Sequence, residues 1–177
     1  MSDSASPLVM LARYSIAEYV RRGQRASIPD IPELAPYLML RAGVFVSLHK
    51  RDGALRGCVG TFAPTRANVA AEVIENAIAS ATRDPRFSPI QVWELDDLDI
   101  SVDVLSEPEA IQSAAELDPQ VYGVIVADRT GTRRGLLLPM LEQVKTAEQQ
   151  VAIAKQKAFI GAEEPTQLWR FRVQRYH

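Results

Sequence analysis

Residues 44–62 read VFVSLHKRDGALRGCVGTF, and this stretch decides what kind of fold the chain makes. Val44, Val46 and Leu48 alternate with Phe45, Ser47 and His49, which is the two-residue period of a half-buried strand. Asp52-Gly53 then reads as a two-residue hairpin turn, with LRGCVGTF returning on its far side. Such a turn pairs Arg51 with Ala54, Lys50 with Leu55, His49 with Arg56, Ser47 with Cys58 and Val46 with Val59. Two faces follow from that register. Val44, Val46, Leu48 and Val59 make the apolar one, and Phe45, Ser47, His49, Arg56, Cys58 and Gly60 make the other.

Before the hairpin, Leu8, Leu11, Tyr14, Ala17 and Val20 recur at helical spacing and Gly23 supplies a stop. The connection ASIPDIPELAPY carries three prolines without a period and is expected to run extended over the surface. After the hairpin, Val69, Ala70, Val73, Ile74, Ala77, Ile78 and Ala81 form a continuous helical stripe. It must end near Arg83-Asp84, because Pro85 disfavours a helical residue before it. Leu98, Ile100, Val102 and Val104 mark a strand whose polar positions Asp99, Ser101 and Asp103 are expected to be solvated. VYGVIVAD and RRGLLLP read as a second hairpin. Thr146 and Gln149 form a capping box for a helix running to about Phe159 and closed by Gly161. Trp169, Phe171 and Val173 alternate as one last strand. Strands arriving as hairpins favour an α+β fold with a mainly antiparallel sheet and flanking helices, and residues 1–177 are expected to form a single domain.

Composition narrows the function classes. The chain has 177 residues, 47% hydrophobic and 24% charged, which suits a globular domain and excludes a disordered or collagenous one. Its net charge of −2 provides no global field for a polyanion, so nucleic-acid binding would need a local patch such as Arg170 and Arg172. Between Arg86 and Arg129 there is no Lys or Arg, while ten acids occur there, a solvated face or a docking surface for a basic partner. The start of the chain has an acid at Asp3 and an apolar run only from Leu8 to Ala12, unlike a secretory signal. With a lone cysteine and no run of eighteen apolar residues, a cytoplasmic location without a membrane span is expected.

No GxGxxG, GxxxxGK[ST] or GxSxG motif is present, and two histidines with one cysteine cannot build a structural zinc site, so no metal or cofactor is specified. What remains is the polar hairpin face. There an arginine and an imidazole beside a thiol favour the reactive thiolate, with Cys58 as nucleophile, His49 as base and Arg56 as anion binder. Ser47 shares that face, Gly57 and Gly60 suggest a bulge or a close approach by a ligand or another backbone, and Arg86 with Asp84 can project an ion pair toward it.

LRGCVGTF (Leu55 to Phe62) resembles the LRGCIG signature of the AMMECR-one domain family. ATRDPRFSP (Ala81 to Pro89), ELDDLDISVDVLSEPE (Glu94 to Glu109) and GLLLP (Gly135 to Pro139) agree in order, so the likeness is strongest over residues 40–140 and looser beyond Pro139. The resemblance implies an α+β fold with two unequal subdomains and association with Memo-like or radical-SAM proteins. It raises the functional weight of Arg56 and Cys58. Three readings result: a small enzyme or enzyme subunit acting on an anionic or cofactor-linked substrate, a noncatalytic module docking a protein partner, and an RNA-binding adaptor.

Overall fold

The computed structural model describes residues 6–177. Asp3, one of the residues read against a secretory signal, lies outside them. The chain forms two compact units: one up to Val104 together with Gln174–His177, the other Leu105–Val173. No helix among the described residues is long and apolar enough to cross a membrane.

The first unit begins with helix α1 (Pro7–Arg22), capped by the Ser6 hydroxyl and ended by Gly23 at φ 69°. Its buried residues are Leu8, Val9, Leu11, Ala12, Ser15 and Ile16. Tyr14, expected on the buried face, is exposed, because a strict three-residue spacing drifts off the stripe of a 3.6-residue helix. The proline-rich connection is not wholly extended. A 3₁₀ turn (Pro32–Leu34) runs into the short helix α2 (Ala35–Leu38), and Leu34 plugs the core. Strands β1 (Val44–Lys50) and β2 (Leu55–Gly60) form the hairpin, and α3 (Val69–Thr82) packs on it. Asn68 caps α3 through a 2.9 Å bond from the Ala71 amide. After a 3₁₀ segment (Val92–Asp97), β3 (Leu98–Leu105) pairs antiparallel with β1.

The second unit holds β4 (Glu109–Ile111), β5 (Gly123–Asp128), β6 (Arg134–Leu137), α4 (Ala147–Lys157) and β7 (Thr166–Phe171). The expected single last strand is two. β7 lies in the second sheet, order β4-β7-β5-β6, and β8 (Val173–Tyr176) completes the first, order β2-β1-β3-β8. The Thr146–Gln149 capping box is present, but the helix is closed by Phe159 at φ 56° rather than by Gly161. The Ile160 amide reaches back to the Lys155 carbonyl at 2.9 Å, the bond that a left-handed residue after the cap makes possible. Arg170 and Arg172 both lie over the Tyr122 ring, with centroid distances of 4.6 and 4.7 Å, and Arg170 also pairs with Glu109. Two antiparallel sheets with helices make the fold α+β.

Candidate functional site: the Cys58 face of the first sheet

The hairpin reaches its register by two compensating irregularities. The turn is a three-residue loop: the Gly53 amide bonds the Lys50 carbonyl and the Lys50 amide bonds the Ala54 carbonyl, with Gly53 at φ 84°. A left-handed third residue is natural for glycine, and it shifts the pairing by one, so His49 faces Leu55 and not Arg56. A bulge at Arg56 then shifts it back. Beyond it, Leu48 faces Gly57, Ser47 faces Cys58, Val46 faces Val59 and Phe45 faces Gly60, so the expected pairings of Cys58 and Val59 hold while the three nearest the turn do not.

Cys58 is half-buried on this face, and the Ser47 hydroxyl donates to its sulfur at 3.3 Å. Its main chain is held from the side. The Cys58 amide donates to Asp84 Oδ2 at 2.8 Å, and Arg86 Nη2 donates to the Cys58 carbonyl at 3.3 Å. Arg86 grips the same carboxylate at 3.0 Å through Nε and 2.8 Å through Nη2, so the Asp84–Arg86 pair clasps β2 as one unit. Those bonds from Arg86, with the Cys58 amide, hold the Asp84 carboxyl well below the usual range despite its burial.

Arg56 lies elsewhere than expected. Its guanidinium forks onto Glu94 at 2.7 and 3.0 Å and reaches the Ser88 carbonyl at 2.9 Å, buried to 8% exposure. It thereby ties β2 to the loop that carries Arg86. His49 shares the face with Cys58 but stands at the next pair toward the turn, opposite Leu55 on one side and Asp99 on the other. The two glycines admit protein, not open space. A Cβ on Gly57 would lie 2.3 Å from the Ser80 carbonyl oxygen, and one on Gly60 2.2 Å from the Phe45 ring. The close approach expected of them is therefore to α3 and to Phe45.

One partner of this face was not anticipated. Asp103, expected to be solvated, is 1% exposed and takes both arms of Arg175 from β8, each at 2.7 Å. Its bonds to Asp103 make Arg175 hold its proton more tightly than usual, as those to Asp84 do for Arg86. A sequence signal existed in the Asp99, Ser101, Asp103 stripe, but its partner lies 72 residues away. Glu72 was also missed. Fully buried on α3, it accepts bonds from Thr61, from Thr65 twice and from the Arg66 amide, pinning the loop after β2. Burial pushes its carboxyl up, and these bonds outweigh that and hold it below its ordinary value. Among the described residues, no three of His, Cys, Asp and Glu gather as a metal site.

The chain is thus an α+β chain of two antiparallel sheets whose LRGC strand is clasped by a following Asp-Pro-Arg-Phe loop. The family model AMMECR1 matches residues 9–176, reaching well past the strongest motifs, and the chain belongs to that family. It is 50% identical to a protein of Thermotoga maritima over 96% of this chain and 97% of the relative. Protein CA_C1420 of Clostridium acetobutylicum is 47% identical over 96% of this chain, but the match occupies 36% of the Clostridium protein. The crystal structure of PH0010 from Pyrococcus horikoshii superposes with a TM-score of 0.86 at 33% identity, covering 97% of this chain and 89% of that one.

Proposed function

We propose that the Cys58 face is a reaction surface for an anionic or cofactor-linked substrate, with Cys58 as nucleophile, Ser47 as hydrogen-bond donor and Arg86 and Arg175 as anion partners. His49 supplies an imidazole on the same face, while Arg56 serves by anchoring the loop that carries Arg86. The observation that carries the reading is the convergence on Cys58 of the Ser47 hydroxyl, 3.3 Å from its sulfur, and the Arg86 guanidinium, 3.3 Å from its carbonyl. Cationic surroundings with partial exposure are what a reactive thiol requires, and a cytoplasmic, reducing setting keeps it free.

Competitive alkylation tests this. Relative to a small free thiol, Cys58 should prefer anionic iodoacetate over neutral iodoacetamide by about fivefold, the factor that ~1 kcal/mol of attraction provides. Arg86→Gln and Arg175→Gln should each reduce that preference. A preference no greater than the free thiol's, or one that both substitutions leave intact, would refute the reading.

A second reading is a noncatalytic module that docks a protein partner, a Memo-like or radical-SAM protein by the family resemblance. In the Clostridium relative the matching stretch is 36% of a longer chain, so there it is joined to further protein. If this reading holds, partner capture survives Cys58→Ala and is lost on Asp97→Lys with Asp99→Lys. Asp103 is unsuitable for such a test, being buried against Arg175. No observation favours the RNA-adaptor reading, since Arg170 and Arg172 are engaged with Tyr122.

A further inference from the structure

The geometry points to a second, separate ligand site in the first unit: a groove between α1 and residues 95–100 that takes a small amphipathic zwitterion, of the class of an apolar α-amino acid. The groove encloses about 220 Å³, and one wall is the face of α1 that carries Arg13, Ala17 and Arg21 at four-residue spacing. The small Ala17 side chain between the two arginines leaves room on that wall. Ile16, Leu98 and Ile100 supply an apolar floor, each no more than 6% exposed.

The rim carries the specificity. Arg13 is oriented by a 2.9 Å bond from Nη2 to the Leu98 carbonyl, which leaves other N–H groups of the fork unused. The Arg21 guanidinium has no hydrogen-bond or ion-pair partner among the described residues, and neither has the Asp96 carboxylate on the opposite wall. Asp96 is held in place through its main chain, whose carbonyl accepts from Arg51 at 3.0 Å. A neutral hydrophobe would strip water from these charges without replacing it, and a polyanion would meet Asp96. A single carboxylate facing the arginines, one ammonium facing Asp96 and an apolar body on the floor satisfy all three.

Amide NMR titration of the full chain with L-leucine tests the inference. We expect saturable shifts at Ala17, Asp96 and Leu98. Binding of 4-methylpentanoate and of isopentylamine, which lack the ammonium and the carboxylate respectively, should be weaker by about fivefold, as should leucine binding to Arg21→Gln and Asp96→Asn. Both substitutions sit at exposed positions, so an unchanged thermal midpoint separates lost binding from lost folding. The inference is overturned by any of four results. They are no saturable shift up to about 20 mM, well above a millimolar Kd; 4-methylpentanoate binding as tightly as leucine; a leucine-containing peptide without free termini binding more tightly; or shifts confined to the Cys58 face.

Discussion

The main-chain amide of Cys58 donates to Oδ2 of Asp84 at 2.8 Å, and so the LRGC stretch of β2 is tied to the loop that follows α3. β2 is the outermost strand of its sheet, so its outward polar groups need partners from outside the ladder. Asp84 and Arg86 provide them, while the Ser80 hydroxyl accepts from the Val59 amide at 2.8 Å and donates to the Val46 carbonyl at 2.7 Å. Asp84→Ala leaves a strand amide unpaired and should destabilise the protein by about 2–3 kcal/mol in urea unfolding. The pH dependence has a definite sign. Because the carboxyl is held below its ordinary value in the folded state, its contribution is present above the unfolded value of about 3.9 and lost as pH falls through the folded one. The stability gap between the wild type and Asp84→Asn should therefore narrow as pH is lowered from about 5 toward 2; a gap constant over that range would contradict the clasp.

Gly57 is required by space. A methyl group there would lie 2.3 Å from the Ser80 carbonyl oxygen, a backbone atom of α3 that cannot swing aside. Gly57→Ala should cost about 3 kcal/mol or more, since α3 must move off the hairpin that it covers. Gly53→Ala, in open space at φ 84°, should cost about 1 kcal/mol. Thermal unfolding of the two variants side by side checks the ordering.

Asp103 and Arg175 form a pair buried on one side only, the aspartate side chain at 1% exposure and the arginine side chain at 39%. Arg175→Met strands the carboxylate and should destabilise by about 1–3 kcal/mol, below the figure for fully buried pairs because water reaches the arginine. The double variant Arg175→Met, Asp103→Leu should regain part of that loss. A double variant less stable than the sum of the two singles would argue against a coupled pair.

Tyr176 packs edge-on against Tyr37, with ring centroids 6.0 Å apart. Burial, and then the hydrogen bond with Tyr37, pushes its phenol up to about 12. A raised folded value means stability that is whole below the unfolded value, near 10, and lost as pH rises through the folded one. Ultraviolet titration should find a late-ionising phase, and Tyr176→Phe should remove it. A titration curve that Tyr176→Phe leaves unchanged above pH 10 would count against this placement.

Much of the architecture is legible in local pattern. The α3 stripe, the stop imposed by Pro85, the Thr146 capping box and the alternation of β1 and β3 each depend on neighbours within a few residues. The Ser47–Cys58 pairing also emerges, although the loop and the bulge that cancel to produce it do not. A two-residue and a three-residue turn share the Asp-Gly signal, and nothing local says that Arg56 will be drawn out of register toward Glu94.

By itself, then, the sequence determined the α+β class, the longer elements and the strand that carries the lone cysteine, because periodicity, caps and turn residues act over short spans. Only the tertiary structure decided which arginines accompany that cysteine. Arg56, two residues away, is committed to Glu94, while Arg86, 28 positions along the chain, bonds its carbonyl and Arg175, 117 positions along, pairs with Asp103 in the same sheet. The physical reason is that a guanidinium goes where a partly or fully buried carboxylate waits for it. Glu94, Asp84 and Asp103 are brought to their places by packing that no short stretch of sequence describes.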